Sequence, residues 1–349
     1  MRKHLMAVDV GTGSARAGVF DLAGRQLSRC VVAISLHQPH HNHMELDSDE
    51  IWNSVCGAVR AALAAADVDG ATVAAIGFDA TCSLVVRDRN GEPLSVSTTG
   101  RRELDTILWM DHRAIAETAE CNAIDDPLLE RFGGRISVEM QVPKLLWLKR
   151  HKPDTWAKAG LIFDLCDYLT WRATGNERRS HSSMASKWGY EPQAPGKRPD
   201  GFYAKAGLAD LAQKAGLPDL SHPIERPVDH LSDAAAHALG LTSGCLVAPG
   251  LVDAYAGTVA LFAADTTQEE LPGNRAAFIA GTSSCIVILS HDPISGPGCW
   301  GGFRDAASPG LWLLEAGQSA SGAFLDHIVR LHPAGGDPSK ERHRALLDQ

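Results

Sequence analysis

Apolar and polar positions at the start of the chain predict three short strands joined by tight turns. Residues 5–10 are largely apolar, Gly11-Thr12-Gly13-Ser14 supplies a turn, and residues 17–20 form a second run. Asp21-Leu22-Ala23-Gly24 then turns the chain into a third run over 26–34. Here the period changes. Ile51, Val55, Val59 and Leu63 recur at helical spacing up to Asp67. Ahead of them, Asp47-Ser48-Asp49-Glu50 offers an N-cap and acids that suit the positive end of a helix. A strand over 73–78 and a hairpin across Asn90-Gly91 follow, so the segment predicts an α/β layered domain.

Helical spacing dominates between residues 114 and 239. Leu145, Leu146 and Leu148 precede His151-Lys152-Pro153, and 161–173 reads as helical up to Thr174-Gly175. Residues 191–201, with Pro192, Pro195, Gly196 and Pro199, read as a loop. The chain is apolar again over 246–251. Asp253 and Ala254-Tyr255-Ala256-Gly257 then suit the opening of a helix beside a ligand. The most informative feature is an internal echo: residues 7–14, ending Asp9-Val10-Gly11-Thr12-Gly13-Ser14, are answered by Phe278-Ile279-Ala280-Gly281-Thr282-Ser283-Ser284. Two strand–turn–strand units of one kind imply a duplicated plan with a ligand between the copies.

Composition narrows the class of protein. With 349 residues, 44% hydrophobic and 21% charged, the chain is long enough for about two domains and apolar enough to bury cores. A formal charge of −9 without a long Lys/Arg run argues against nucleic acid or an anionic membrane as partner. No apolar stretch reaches the roughly 20 residues of a membrane-spanning helix, and the N-terminus lacks the pattern of a signal peptide. The eight cysteines are scattered with no C-x-x-C pair, which suggests reduced thiols and a cytoplasmic location.

A Gly-Thr-Gly-Ser turn presents successive N–H groups and hydroxyls with no bulky side chain in the way, as a terminal phosphate requires. No Lys follows, and the turn joins strands, so neither the Walker nor the dinucleotide pattern applies. Hairpins use glycine too, so a plain turn stays open as the alternative. Asp9 suits Mg²⁺ reached through waters, or an Asx turn. Asp253 suits a general base that takes the proton of an attacking hydroxyl, or a simple N-cap. Lys187, between Met184 and Trp188-Gly189-Tyr190, fits a lined pocket better than the usual solvated lysine. His37, His40, His41 and His43 lack zinc-helix spacing and contain Pro39, so they read as a polar loop at a cleft mouth. Trp147, Trp156 and Trp171 read as core residues.

Several of these segments together resemble the FGGY carbohydrate kinases, in order and along nearly the whole chain. They are Asp9-Val10-Gly11-Thr12-Gly13-Ser14-Ala15-Arg16, Gly77-Phe78-Asp79-Ala80-Thr81-Cys82-Ser83 and Trp109-Met110-Asp111-His112-Arg113. Further along come Pro143-Lys144-Leu145-Leu146-Trp147, Ser186-Lys187-Trp188-Gly189-Tyr190, the Asp253 segment and Gly281-Thr282-Ser283. Within the family the chain looks closest to the ribulokinase-like branch. The resemblance implies an α/β, actin-like, ribonuclease-H-like ATPase fold, duplicated, with the second domain incomplete. Residues 1–258 would form the sugar-binding domain and 275–349 part of the nucleotide-binding domain. Family members carry further chain with a Gly-rich loop for adenosine, and an unfinished second sheet should leave apolar surface exposed.

The same resemblance implies roles by position. Asp253 matches the general base and Asp9 the Mg²⁺-associated carboxylate. Gly11, Thr12, Gly13, Ser14 and Arg16 match the first phosphate loop, and Gly281, Thr282 and Ser283 the second. Ala80, Lys187 and Glu315 match sugar-binding positions, with Asp79, Asp111 and Arg113 as weaker candidates. The implied activity is ATP-dependent phosphorylation of a small open-chain sugar, D-ribulose first, on a terminal hydroxyl. The partners would be that sugar and Mg-ATP, with a homodimer open as assembly. Two alternatives stand beside it: a catalytically inactive sugar-binding or regulatory remnant, and a chaperone- or actin-like ATPase without a sugar. The last leaves the Lys187, Asp253 and Glu315 set unexplained.

Overall fold

Strand β1 (His4–Val10) buries Met6, Val8 and Val10 on one face and turns Asp9 to the other, the period-two pattern of a half-covered strand. It pairs antiparallel with β2 (Ser14–Asp21), and β2 pairs with β3 (Gln26–Ala33). This computed structural model describes residues 3–263 and 275–348. The chain next forms a hairpin of β4 (His37–His40) and β5 (His43–Leu46). The histidine cluster therefore lies in strands and at their turn, where a loop was expected, and does not line the cleft described below. Pro39 is tolerated because β4 is the edge strand of its sheet and needs no N–H there.

Helix Ser48–Ala66 forms as its cap and spacing predict. The Asp47 carboxylate accepts from the N–H groups of Asp49 (2.8 Å) and Glu50 (3.2 Å). Its buried face, with Ile51, Val55, Val59 and Leu63, joins the core formed by Val8, Val10 and Val19 of β1 and β2. Each such side chain contributes about 1.5–3 kcal/mol by leaving water. Strand β6 (Val73–Ala80) then returns parallel to β1.

A second sheet runs in the order β4-β5-β8-β7-β9, with β7 (Leu84–Asp88), β8 (Thr106–Ile107) and β9 (Ala159–Asp164). Here the helix expected over 161–173 is corrected. Residues 159–164 are a strand buried throughout, and only Leu165–Thr174 is helical. A strand covered on both faces is a continuous apolar run, which periodicity cannot tell from a buried helix. Short strands β10 (Asp229–His230), β11 (Leu246–Val247) and β12 (Leu251–Val252) complete the first sheet, with β11 and β12 following each other along β6. Gly250, just before β12, is demanded by space: a Cβ there would lie 2.6 Å from the Cys166 carbonyl oxygen.

Helix Asp253–Ala263 leads toward a second unit, a sheet in the order β13-β14-β16-β15. Its strands are β13 (Ala277–Ala280), β14 (Ser284–Ser290), β15 (Trp300–Arg304) and β16 (Trp312–Gln318). The β13–β14 hairpin repeats the plan of β1–β2, as the echo in the sequence predicts. Phe278 (63% exposed), Phe324 (54%), Leu325 (57%) and Leu331 (67%) leave an apolar face of this unit in solvent. Among the described residues no helix is long and apolar enough to cross a membrane.

Candidate active site

Pairing of β6 with β1 on one side and β12 on the other brings three strand ends together, and each supplies a carboxylate. Asp9 stands opposite Asp79 in the parallel register, while Asp253 follows Val252, the partner of Ala80. All three open onto a cleft of about 830 Å³. Its walls include both Gly-Thr turns: Gly11, Thr12, Gly13 and Ser14 on one side, Gly281, Thr282 and Ser283 on the other. Arg16, Lys187 and Glu315 also line it.

The glycines of these turns have no structural reason to be glycine. Gly11, Gly13 and Gly281 are not in the left-handed region of backbone space. A Cβ on Gly13 would meet nothing within 4 Å, and on Gly11 or Gly281 only ordinary contacts at 3.5 Å and 3.7 Å. The space they keep free is space in the cleft.

Charge in the cleft is arranged to keep one lysine charged among acids. Burial first, then the nearby Asp9 and Asp253, pushes Asp79 up to about 8, against the pull of Arg16. Asp253 is likewise raised, by burial and by Asp9 and Glu315. The Ala254 N–H at 2.8 Å and Lys187 oppose that shift. Arg16 donates to Asp9 at 2.6 Å in a half-exposed pair. Lys187 is buried with its Nζ 5.0 Å from the centre of the Trp300 ring. Burial works against its charge, yet Cys82 and the carboxylates of Glu315, Glu139 and Asp164 hold its pKa above the ordinary lysine value. The Cys82 thiol is itself raised far by burial, so at neutral pH the carboxylates are what keep Lys187 protonated. Glu315 accepts a hydrogen bond from the Tyr255 hydroxyl at 2.9 Å.

Because folded Asp79 holds its proton well above the ordinary carboxylate value near 4, ionising it costs stability. That cost is absent below about pH 4 and grows as pH rises through the folded pKa of about 8. Asp79→Asn is therefore expected to melt higher than the parent at pH 8, with the gap closing toward pH 5. Paired thermal melts across that range check it; a gap that widens toward acid contradicts the sign.

Three expected sugar contacts lie off the cleft. Ala80 is fully buried on the face of β6 opposite Asp79, because neighbouring strand residues point to opposite sides. Asp111 and Arg113 form a closed network behind the wall: Arg113 donates to Asp111 at 2.7 Å and to Glu45 at 2.9 Å, with none of the three side chains exposed. Two residues to which the sequence assigned no role stand on the wall. Trp109 donates its indole N–H to Thr12 Oγ1 at 3.1 Å, tying the first turn to the segment that follows β8. Glu139 faces the cleft with His112 Nε2 3.3 Å from one carboxylate oxygen. Burial raises its pKa, but hydrogen bonds from His112 and Ser319 and the charges of Lys144 and Lys187 hold it below the ordinary value. No spacing rule marks either residue, since Trp109 lies 97 positions from its partner.

Solved structures share this architecture. A xylulose kinase from Rhodospirillum rubrum superposes with a TM-score of 0.81 at 22% identity, over 99% of this chain and 66% of that one. A Plasmodium falciparum glycerol kinase solved with ADP gives 0.73 at 14%, over 94% and 63%. These likenesses define the class of fold, the duplicated actin-like ATPase fold. Sequence comparison goes further. The profile of the FGGY family of carbohydrate kinases, N-terminal domain, matches residues 4–260, and that of the C-terminal domain matches 276–349. An FGGY carbohydrate kinase domain-containing protein of Danio rerio is 40% identical over 341 residues, 95% of this chain and 62% of its own. A D-ribulokinase of Saccharomyces cerevisiae is 39% identical over 361 residues, 95% of this chain and 50% of its own. The chain thus spans between half and about three fifths of the length of these relatives. It belongs to the FGGY family of carbohydrate kinases, in the ribulokinase-like branch.

Proposed function

We propose that the chain transfers the γ-phosphoryl group of Mg-ATP to a terminal hydroxyl of a small open-chain sugar. D-ribulose comes first among the pentuloses and pentitols. The observation that carries this reading is the pair of glycine turns across the cleft, which keep space free that neither backbone conformation nor packing requires. Residues 1–258 hold the sugar, and 275–349 contribute to the nucleotide site. Asp253 takes the proton of the attacking hydroxyl, aided by a pKa raised toward the working range. Lys187, Glu315 and Asp79 pair with sugar hydroxyls, since a buried polar group left unpaired costs about 1–3 kcal/mol. N–H groups of the two turns other than those of Gly11 and Gly281, which already donate to the Ser14 and Ser283 carbonyls, face the phosphates with Arg16 and bear the charge that develops in transfer.

Asp9 suits Mg²⁺ in donor type, being a carboxylate at the rim of the first turn, and one of its oxygens is engaged by Arg16. Asp9 would therefore hold the ion through water. When bound, Mg²⁺ neutralises charge on the phosphoryl oxygens. The reaction belongs in the cytoplasm, the compartment suited to eight cysteines that form no disulfide.

A second reading, sugar binding without transfer, is favoured by the apolar face that the second unit exposes. Titration calorimetry separates the two. The kinase reading expects both D-ribulose and Mg-ATP to bind with dissociation constants in the low-millimolar range or better. Sugar binding without nucleotide binding contradicts it and supports the second reading.

A further inference from the structure

The helix His181–Lys187 is buried along its whole length and lies where the two units meet. The first unit holds it firmly. Ser180 caps it, and the Asp167 carboxylate accepts from Ser180 N and Ser183 Oγ, both at 2.7 Å. Ser182 Oγ accepts the N–H of Val252, the residue before Asp253, at 3.3 Å. Lys187 at its last position lies over Trp300, which opens β15. His181 at its first position meets the other end of the same strand: its Nε2 is 2.9 Å from the carbonyl oxygen of Arg304 and 3.1 Å from that of Pro192. Strand and helix are thus joined at both ends.

The partners define the protonation of His181. Carbonyl oxygens only accept, so Nε2 carries a proton. Nδ1 lies 2.7 Å from Ser221 Oγ, and that oxygen already receives the Gly196 N–H at 2.7 Å, which frees the serine proton for Nδ1. The neutral, Nε2-protonated ring satisfies every contact. Burial, which holds its pKa below the ordinary histidine value, favours the same form. Packing is close as well: a Cβ on Gly196 would lie 2.9 Å from His181 Cε1.

We propose that His181 is a positioning residue. Its Nε2–H clamps the end of β15 in the second unit to the helix that carries Lys187, and so fixes Trp300 and Lys187 against each other at the sugar end of the cleft. The consequence for sugar binding rests on the role given to Lys187 above; the clamp itself does not. A histidine that only fills space has no preference between its two nitrogens. A clamp does.

Two amides separate these cases. His181→Gln places an N–H donor near the Nε2 position, whereas His181→Asn places one near Nδ1 and abandons Arg304. Hydrogen exchange of residues 300–304 and calorimetry with D-ribulose are the readouts. For His181→Asn the clamp predicts about tenfold faster exchange in 300–304 and about tenfold weaker sugar binding, with His181→Gln close to the parent. Equal behaviour of the two variants, whether both are loosened or both are unchanged, overturns the proposal. Ser221→Ala serves where the histidine variants fold poorly, because it removes the Nδ1 partner, which is also the acceptor of the Gly196 N–H, and leaves the Nε2–H contact with Arg304 in place. Unchanged exchange in 300–304 is expected, and faster exchange there also overturns the clamp. If the parent chain binds no D-ribulose, the sugar reading falls, and exchange in 300–304 still decides the clamp.

Discussion

Asp253→Asn is expected to lower sugar-dependent ATP turnover by about 10²–10⁴-fold while D-ribulose affinity stays within about threefold of the parent. The amide keeps the size and most of the hydrogen bonding of the carboxylate but cannot take a proton. Asp253 begins its helix directly after β12, and the Ala254 N–H holds one oxygen at 2.8 Å. The side chain faces the same cleft as both phosphate turns. Its raised pKa makes the base form grow as the solution moves from acid toward neutral, so parent turnover should rise over that interval and the variant's should not. If sugar affinity falls instead, with turnover preserved, Asp253 serves as a binding group and the base assignment fails.

The second large effect concerns stability. Arg113→Leu is expected to destabilise the fold by about 3–5 kcal/mol, because it leaves two buried carboxylates without their cation. Asp111 and Glu45 have no exposed side-chain surface, and one oxygen of Glu45 already lacks a partner. The guanidinium also lies 4.8 Å from the centre of the Trp147 ring, so packing is lost with the charge. Urea denaturation reads the difference directly. A loss under about 1 kcal/mol would mean that the carboxylates find other partners or take up protons. Sugar affinity should follow stability only, since this network stands behind the wall.

That contrast shows how far the sequence could be read. The first sheet was legible because its strands bury one face: the alternation from Met6 to Val10 and the Asp47 cap state their structure locally. Duplication was legible through the repeated Gly-Thr turn, and the helix that Asp253 opens through its place after an apolar run. Strand β9 was not, because burial on both faces erases the pattern that distinguishes it from a helix. Among the site residues, motif adjacency misled in a specific way. Asp79 and Ala80 stand together in one segment, and the pleat sends them to opposite sides. Asp111 and Arg113 look like a polar site, but Glu45, 68 residues from Arg113, completes an internal network. Glu139 and the Trp109–Thr12 contact arise only when distant elements meet, as does the pinning of β15 by His181.

The most direct measurement is ADP release from Mg-ATP by this chain, with and without D-ribulose, beside Asp253→Asn. Release that depends on the sugar in the parent and is nearly lost in the variant is the predicted result. Release indifferent to the sugar, or equal in the two proteins, would contradict phosphoryl transfer to a sugar with Asp253 as its base.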